Sequence, residues 1–209
     1  MTRHRRPTGI LAALALPILV AACSSGGRTS PLPTIPSLAP ATAAPEASHP
    51  GPTYPPGCPT EQPDALGAGE TRTVTITTDK GDFTMKIEAD LSPIAAGNFV
   101  TLAECGYYDN VVFHRLVPGF VIQGGDGQFG RSPDVIPELV GSGGPPYTIQ
   151  DEPVTAKYGR GTVAMARSSQ PNSVGSQFFV VLDDAAEPPL ASANTYQIIG
   201  EVTAGMDVV

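Results

Sequence analysis

The sequence predicts a mainly β-sheet domain with few helices, built as a sandwich or a barrel and preceded by a long non-globular segment. Short stretches rich in Val, Ile and Phe recur through the C-terminal two thirds of the 209-residue chain, separated by loops rich in Gly and Pro. One stretch carries clear start and stop signals for a helix. The first third of the chain is instead dominated by Ala, Ser, Thr and Pro, which cannot bury enough apolar surface to fold.

The first elements of the folded part are a hairpin and a helix. Within residues 71–89, apolar and polar residues alternate on both sides of the turn-forming segment 79–82, which predicts two antiparallel strands. Ser92 is the expected N-cap of a helix, Pro93 suits its first position, and Gly106 suits its end. Further short strands are expected near residues 111–115, 120–123, 162–166, 178–182 and 196–202.

The N-terminus has the pattern of an export signal. A basic start is followed by an apolar run over residues 9–20, shorter than the ~20 residues that a membrane-spanning helix needs. Val20-Ala21-Ala22-Cys23 resembles the lipobox of bacterial lipoproteins. The resemblance implies a signal peptide over residues 1–22, a lipid on Cys23 and an extracytoplasmic protein anchored to the bacterial cell membrane. Ordinary secretion with an unmodified Cys23 is the alternative.

Residues 23–67 are expected to form a tether between the lipid and the domain over residues 68–209. Eleven of the 23 prolines lie between residues 24 and 67, so this stretch cannot form helices or sheet ladders and favours an extended spacer. A Pro-rich motif that binds a partner is the alternative. Cys58 and Cys105 are the remaining cysteines; outside the cytosol they could pair, but the sequence does not give their distance.

Several function classes are disfavoured. The net charge of −8 argues against a nucleic-acid partner. His114 is the only histidine in the folded part, which leaves no material for a histidine-based metal cluster or a Ser-His-Asp triad. Residues 125–130 match the dinucleotide pattern G-x-G-x-x-G, but Pro133 and Pro137 block the helix that such a site needs. No metal or cofactor is therefore expected.

Four blocks in order carry a resemblance to a known family. The longest is Phe-His-Arg-Leu-Val-Pro-Gly-Phe-Val-Ile-Gln-Gly-Gly-Asp at residues 113–126; the others are the glycine-rich segment 141–152, Ala-Met-Ala at 164–166 and Gly-Ser-Gln-Phe-Phe at 175–179. Over residues 71–209 the chain resembles the cyclophilins, which are peptidyl-prolyl cis-trans isomerases. The resemblance implies a closed eight-stranded antiparallel barrel. Family members continue into a second helix and a closing strand, so this chain is expected to lack both.

The resemblance also implies the site residues. Arg115, Phe120 and Gln123 are expected to be catalytic, with the Arg115 guanidinium donating to the proline nitrogen. Gln177 and the backbones of Ala166 and Arg167 are expected to hold the residue that precedes proline. The full substrate-binding set is Val121, Ala166, Arg167, Gln177, Phe179, Leu190 and Tyr196. His114 is expected to be a packing residue.

The expected function is acceleration of rotation about X–Pro bonds in exported proteins, which assists their folding. Such catalysis needs no nucleophile, since only the resonance of the amide must be broken. We expect a monomer that acts on proline-containing polypeptides and contacts the membrane through Cys23. Many members of the family that the chain resembles carry a Trp beside the pocket. This chain has no Trp, which argues against tight cyclosporin binding. The alternatives are a chaperone-like module that binds Pro segments with little turnover, and a structural lipoprotein with a vestigial barrel.

Overall fold

The computed structural model describes residues 54–209. The predicted signal peptide over residues 1–22, the lipidation site Cys23 and residues 24–53 of the predicted tether lie outside the described residues. Between residues 54 and 209, no helix is long and apolar enough to cross a membrane. The strands are β1 (Thr71–Thr78), β2 (Gly81–Glu88), β3 (Arg115–Val117), β4 (Val121–Gly124), β5 (Thr162–Met165), β6 (Phe178–Val181) and β7 (Ile198–Ala204), and the helices are α1 (Pro93–Glu104) and α2 (Glu187–Ala193).

The strands form one antiparallel sheet in the order β1-β2-β7-β5-β6-β4-β3. This confirms the predicted mainly β architecture. The closed eight-stranded barrel is not confirmed, because the described part of the chain contributes seven strands and leaves β1 and β3 as edges. A cavity of about 630 Å³ is lined by residues 74–77 of β1 and by residues 109–113, which precede β3.

The predicted hairpin is confirmed. Strands β1 and β2 pair without interruption from Thr71 opposite Glu88 to Thr78 opposite Gly81. The apolar residues of β2 face the core, where Phe83, Met85 and Ile87 are buried. The polar residues of the hairpin alternate with them and remain partly exposed, as the two-residue period of a strand requires.

Helix α1 lies where the sequence predicts it, with Ser92 at the N-cap and Pro93 at the start, but the expected capping hydrogen bond of the Ser92 hydroxyl is wrong. The hydroxyl of Ser92 donates to the carbonyl of Leu91 instead of capping the helix. The carboxylate of Glu152 accepts from the backbone N–H groups of Ile94 and Ala95, each at 2.9 Å. A carboxylate at this position satisfies free donors and also carries the charge that the positive end of the helix dipole favours.

Two other elements differ from the sequence prediction. In the segment predicted as a strand near residues 111–115, Val111 makes an isolated bridge with Arg131, and strand β3 begins only at Arg115. Helix α2 was not expected. Its two prolines stand in the first turn, where backbone N–H groups have no partner within the helix. They therefore do not interrupt the helix at this position, although they would break it further along.

The central strands β5 and β6 are buried on both faces and supply the two larger of the three apolar clusters in residues 54–209. The α1 cluster contains Phe178 and Val180 of β6, packed with residues of α1 and the hairpin. The α2 cluster contains the alternate residues Phe179 and Val181, packed with Leu190 of α2. Because successive side chains of a strand point in opposite directions, β6 supplies both clusters at once.

Residues 54–66, which we call the N-terminal strap, lie against helix α1, although the sequence assigns them to the tether. Cys58 and Cys105 form a disulfide bond that joins the strap to the residue after α1. Closer to the sheet, the backbone of Asp64 lies so near Gly97 of α1 that a side chain at this position would collide with it.

Removal of the disulfide is expected to destabilise the domain. The bond closes a loop with a sequence separation of 47 residues, so the double variant Cys58→Ala/Cys105→Ala should lose about 2–4 kcal/mol of unfolding free energy. Chemical denaturation of the oxidised wild type and the variant measures this difference. A reducing agent should lower the stability of the wild type and leave the variant unchanged. Equal stability of the oxidised wild type and the variant would contradict the prediction.

Candidate active site

Nine of the ten residues predicted for catalysis or substrate binding line one cavity of about 220 Å³, which we call the socket. Its lining consists of Arg115, Phe120, Val121, Gln123, Ala166, Arg167, Phe179, Leu190 and Tyr196. The tenth residue, Gln177, lies beside the socket and contacts it through a hydrogen bond to Gln123. The structure thus brings the predicted set together, while the role of each residue stays a prediction.

The floor of the socket is apolar and belongs to the α2 cluster. Val121, Phe179 and Leu190 are at most 4% exposed, so their positions are fixed by packing. The ring of Tyr196 stands nearly perpendicular to that of Phe179, at 86°, with the ring centroids 5.4 Å apart. Helix α2, which the sequence analysis missed, is the element that brings Leu190 to this floor.

The guanidinium of Arg115 lies at the rim of the socket. Arg115 and Gln123 stand opposite each other in the pairing of β3 with β4. Nη1 of Arg115 donates to Oε1 of Gln123 at 3.4 Å, and Cζ of Arg115 lies 6.0 Å from the ring centroid of Phe120. This is the one hydrogen bond of the guanidinium within residues 54–209, so its other donors are available to a ligand.

The amide group of Gln123 is held at both ends. Its oxygen accepts from Arg115, and its Nε2 donates to Oε1 of Gln177 at 3.0 Å. Gln177 in turn donates to the carbonyls of Gly141 and Gly143, at 3.0 and 2.8 Å. A chain of hydrogen bonds therefore runs from the glycine-rich loop, residues 141–152, through Gln177 and Gln123 to the guanidinium of Arg115.

The same loop is held from its other side by Asp126, which is fully buried. Oδ1 of Asp126 accepts from the backbone N–H groups of Gln128 and Phe129 at 3.1 and 2.9 Å. Oδ2 accepts from the backbone N–H groups of Gly141 and Gly143 at 2.7 and 2.9 Å. Four charge-assisted hydrogen bonds thus satisfy the carboxylate and fix the backbone of the loop.

Sequence reasoning missed this role of Asp126. The residue lies in the G-x-G-x-x-G match, where the structure has no helix at residues 125–130. An Asp between two glycines is typical of a turn in which the carboxylate accepts from its own next residues. The two bonds to residues 141 and 143 depend on the tertiary fold and leave no local signal.

Arg167 uses its guanidinium to hold the rim rather than to face the opening of the socket. The side chain is 9% exposed, and Nη1 lies 3.0 Å from a carboxylate oxygen of Asp151. Nη2 donates to the carbonyl of Gln170 at 2.7 Å, and Nε donates to the carbonyl of Ser168 at 3.2 Å. The guanidinium is thus engaged within the fold, and the contact of the Arg167 backbone with substrate stays a prediction.

His114 lies behind the glycine-rich loop. Burial lowers the pKa of its imidazole, with Asp126 opposing this shift and Arg115 adding to it. Neither ring nitrogen has a hydrogen-bond partner among the described residues. This shift favours the neutral form of the imidazole, and the packing role of His114 stays a prediction.

The comparisons with known proteins agree on one family. The sequence model described as "Cyclophilin type peptidyl-prolyl cis-trans isomerase/CLD" matches residues 73–209. A "Probable peptidyl-prolyl cis-trans isomerase" of Brucella abortus is 38% identical over 147 residues, which are 69% of this chain and 73% of that protein. A "Peptidyl-prolyl cis-trans isomerase-like 1" of Aspergillus fumigatus is 38% identical over 65% of this chain and 78% of that protein.

Solved structures give the same result. A cyclophilin-type isomerase of Cryptosporidium parvum matches with a TM-score of 0.54 and 31% identity, over 66% of this chain and 82% of that one. A second structure of that protein, obtained in the presence of the dipeptide Ala-Pro, matches with a TM-score of 0.53 and 32% identity over the same shares. The chain belongs to the cyclophilin-type peptidyl-prolyl cis-trans isomerases. It is an isomerase of X–Pro peptide bonds.

Substitution of Asp126 is expected to impair turnover without touching the socket. Asp126→Asn replaces one acceptor oxygen by a donor that faces backbone N–H groups, so the loop should shift and release Gln177. We expect a loss of about tenfold in kcat/KM for a proline peptide, and a loss of about 1–3 kcal/mol in unfolding free energy. Asp134→Asn, at an exposed position, is the matched control. Wild-type turnover in Asp126→Asn would contradict the proposed chain of contacts.

Proposed function

We propose that this protein isomerises X–Pro bonds of exported polypeptides at the socket, while a lipid on Cys23 anchors it outside the cytoplasm. The observation that carries the catalytic part is the guanidinium of Arg115 at the rim of an apolar cavity, held in place by Gln123. The compartment is supported by the lipobox pattern and by the disulfide between Cys58 and Cys105.

The socket offers what rotation about X–Pro requires. Amide resonance raises the barrier to about 18–20 kcal/mol, and at the twisted geometry the proline nitrogen regains its lone pair. The proline ring would lie on Val121, Phe179 and Leu190, and an N–H of Arg115 would donate to that nitrogen. This hydrogen bond forms only when resonance is broken, so it stabilises the transition state and not the planar forms.

The apolar contact alone supports only weak binding. Burial of the three CH₂ groups of a proline ring contributes about 2 kcal/mol, at ~0.8 kcal/mol per CH₂. A single proline therefore binds weakly and with broad sequence preference. Such a site suits a folding catalyst that must act on many clients and release each of them.

The contribution of Arg115 can be measured directly. Arg115→Ala should lower kcat/KM for an Ala-Pro tetrapeptide about 10²–10³-fold in a protease-coupled assay, because the donor to the proline nitrogen is lost. Peptide affinity should change by only a few-fold, since the apolar floor remains. Arg115→Lys keeps the charge without the planar fork and should also be impaired.

The matched control is Arg72→Ala, which removes an exposed arginine of strand β1. It should leave turnover unchanged. Unchanged turnover in Arg115→Ala would reject the mechanism. A wild type that binds proline peptides without turnover would favour the chaperone-like alternative.

The anchor is tested on the full chain in a bacterial host. The wild type should incorporate labelled palmitate and partition into the detergent phase, whereas Cys23→Ser should do neither, because the acceptor sulfur is lost. Ser24→Ala is the control and should behave as the wild type. An unlabelled wild type released into the medium would show ordinary secretion and contradict the anchor.

A further inference from the structure

The socket is the first of three cavities that share lining residues. A middle cavity of about 510 Å³ shares Gln123, Ala166 and Arg167 with the socket. An outer cavity of about 370 Å³ shares Gln128, Gly144 and Pro145 with the middle one. The three cavities therefore adjoin one another through these shared residues, and we call this row, from Arg115 to the N-terminal strap, the groove.

One wall of the outer cavity comes from residues that lie outside the match to the isomerase family. Its lining consists of Tyr54, Thr60, Gly127, Gln128, Gly144, Pro145 and Pro146. Tyr54 and Thr60 belong to the strap and precede residue 73, where the match to the family begins. Rings of tyrosine and proline dominate the walls, which suits contact with an apolar side chain.

The strap wall of this cavity is held firmly. The disulfide from Cys58 fixes the strap between the two lining residues Tyr54 and Thr60. The ring of Tyr54 packs on the ring of buried Tyr107, with the centroids 5.7 Å apart. A cavity with fixed walls loses little entropy on binding, which favours a ligand site over an accidental gap.

We infer that the outer cavity binds an apolar side chain of the polypeptide substrate, several residues on the N-terminal side of the target proline. This inference rests on the proposed function, in which Ala166 and Arg167 hold the residue before proline. The middle cavity borders these two residues, so it would hold the next part of the substrate. The outer cavity lies beyond the middle one, so it would hold a side chain still further toward the N-terminus of the substrate.

The continuity of the groove argues for a polypeptide as the occupant. The middle cavity is lined in part by polar side chains, among them Ser142 and Ser173, whose hydroxyl oxygens can accept hydrogen bonds from a peptide main chain. The outer cavity offers apolar rings at its far end. An extended peptide fits this alternation, because its main chain stays polar while single side chains enter pockets.

The experiment compares three peptides on the full chain purified in detergent. The first peptide is a tetrapeptide that contains an X–Pro bond. The second is the same tetrapeptide with an N-terminal extension that contains Leu, and the third carries that extension at the C-terminus instead. The wild type should bind the N-terminally extended peptide more tightly than the other two. Tyr54→Ala should lower the affinity for the N-terminally extended peptide about fivefold and leave turnover of the tetrapeptide unchanged.

A second variant avoids disturbing the strap. Thr60 is exposed, and Thr60→Glu places a carboxylate at the cavity without removing a packed side chain. Thr60→Glu should lower the affinity for the N-terminally extended Leu peptide and raise the affinity for the same peptide with Lys in place of Leu. Thr155→Glu, the same change at an exposed residue away from the groove, is the control and should alter neither.

The outcomes separate this inference from the proposed function. Absence of tetrapeptide turnover in the wild type would overturn the proposed function, whereas affinities are read independently of turnover. Equal affinity of the wild type for the three peptides would overturn the outer site. An equal effect of Thr60→Glu and Thr155→Glu on the Leu peptide would also overturn it.

Discussion

The conformation of the candidate active site depends on one buried carboxylate, that of Asp126. An ionised group removed from water is costly unless hydrogen bonds replace its hydration. Here four backbone N–H groups do so, two from the adjoining turn and two from the glycine-rich loop. A shift of that loop would leave Oδ2 of Asp126 without its two hydrogen bonds. The loop therefore has one favoured position, and Gln177 and Gln123 transmit that position to Arg115.

The α1 cluster and the α2 cluster have different roles: the first stabilises the domain, and the second forms the floor of the socket. Helix α1 and the hairpin pack on Phe178, while the socket rests on Phe179, the next residue of the same strand. The disulfide lies on the α1 side. The socket floor depends instead on α2. Changes on the α1 side can therefore alter the stability of the domain while the floor of the socket keeps its packing.

The sequence predicts the elements that are specified by neighbouring residues and misses those that depend on contacts between residues distant along the chain. The hairpin and α1 are visible because their periodicity and end signals are local. The cap of α1 is not visible, since it comes from Glu152, far along the chain. Helix α2 is hidden by Pro188 and Pro189. The socket residues follow from the resemblance to a family and not from periodicity, which would assign Val121 and Phe179 to plain core.

In the proposed function and the inferred outer site, the glycine-rich loop affects both the rate of the enzyme and its choice of substrate. Its first residues hold Gln177 and thus the guanidinium, whereas Pro145 and Pro146 form a wall of the outer cavity. Both functions use one backbone segment, whose start is fixed by Asp126. A substitution that moves this segment must therefore change both. Thr60 and Tyr54, by contrast, reach the groove from the strap, so the strap can alter the preference for substrate without altering the chemistry at Arg115.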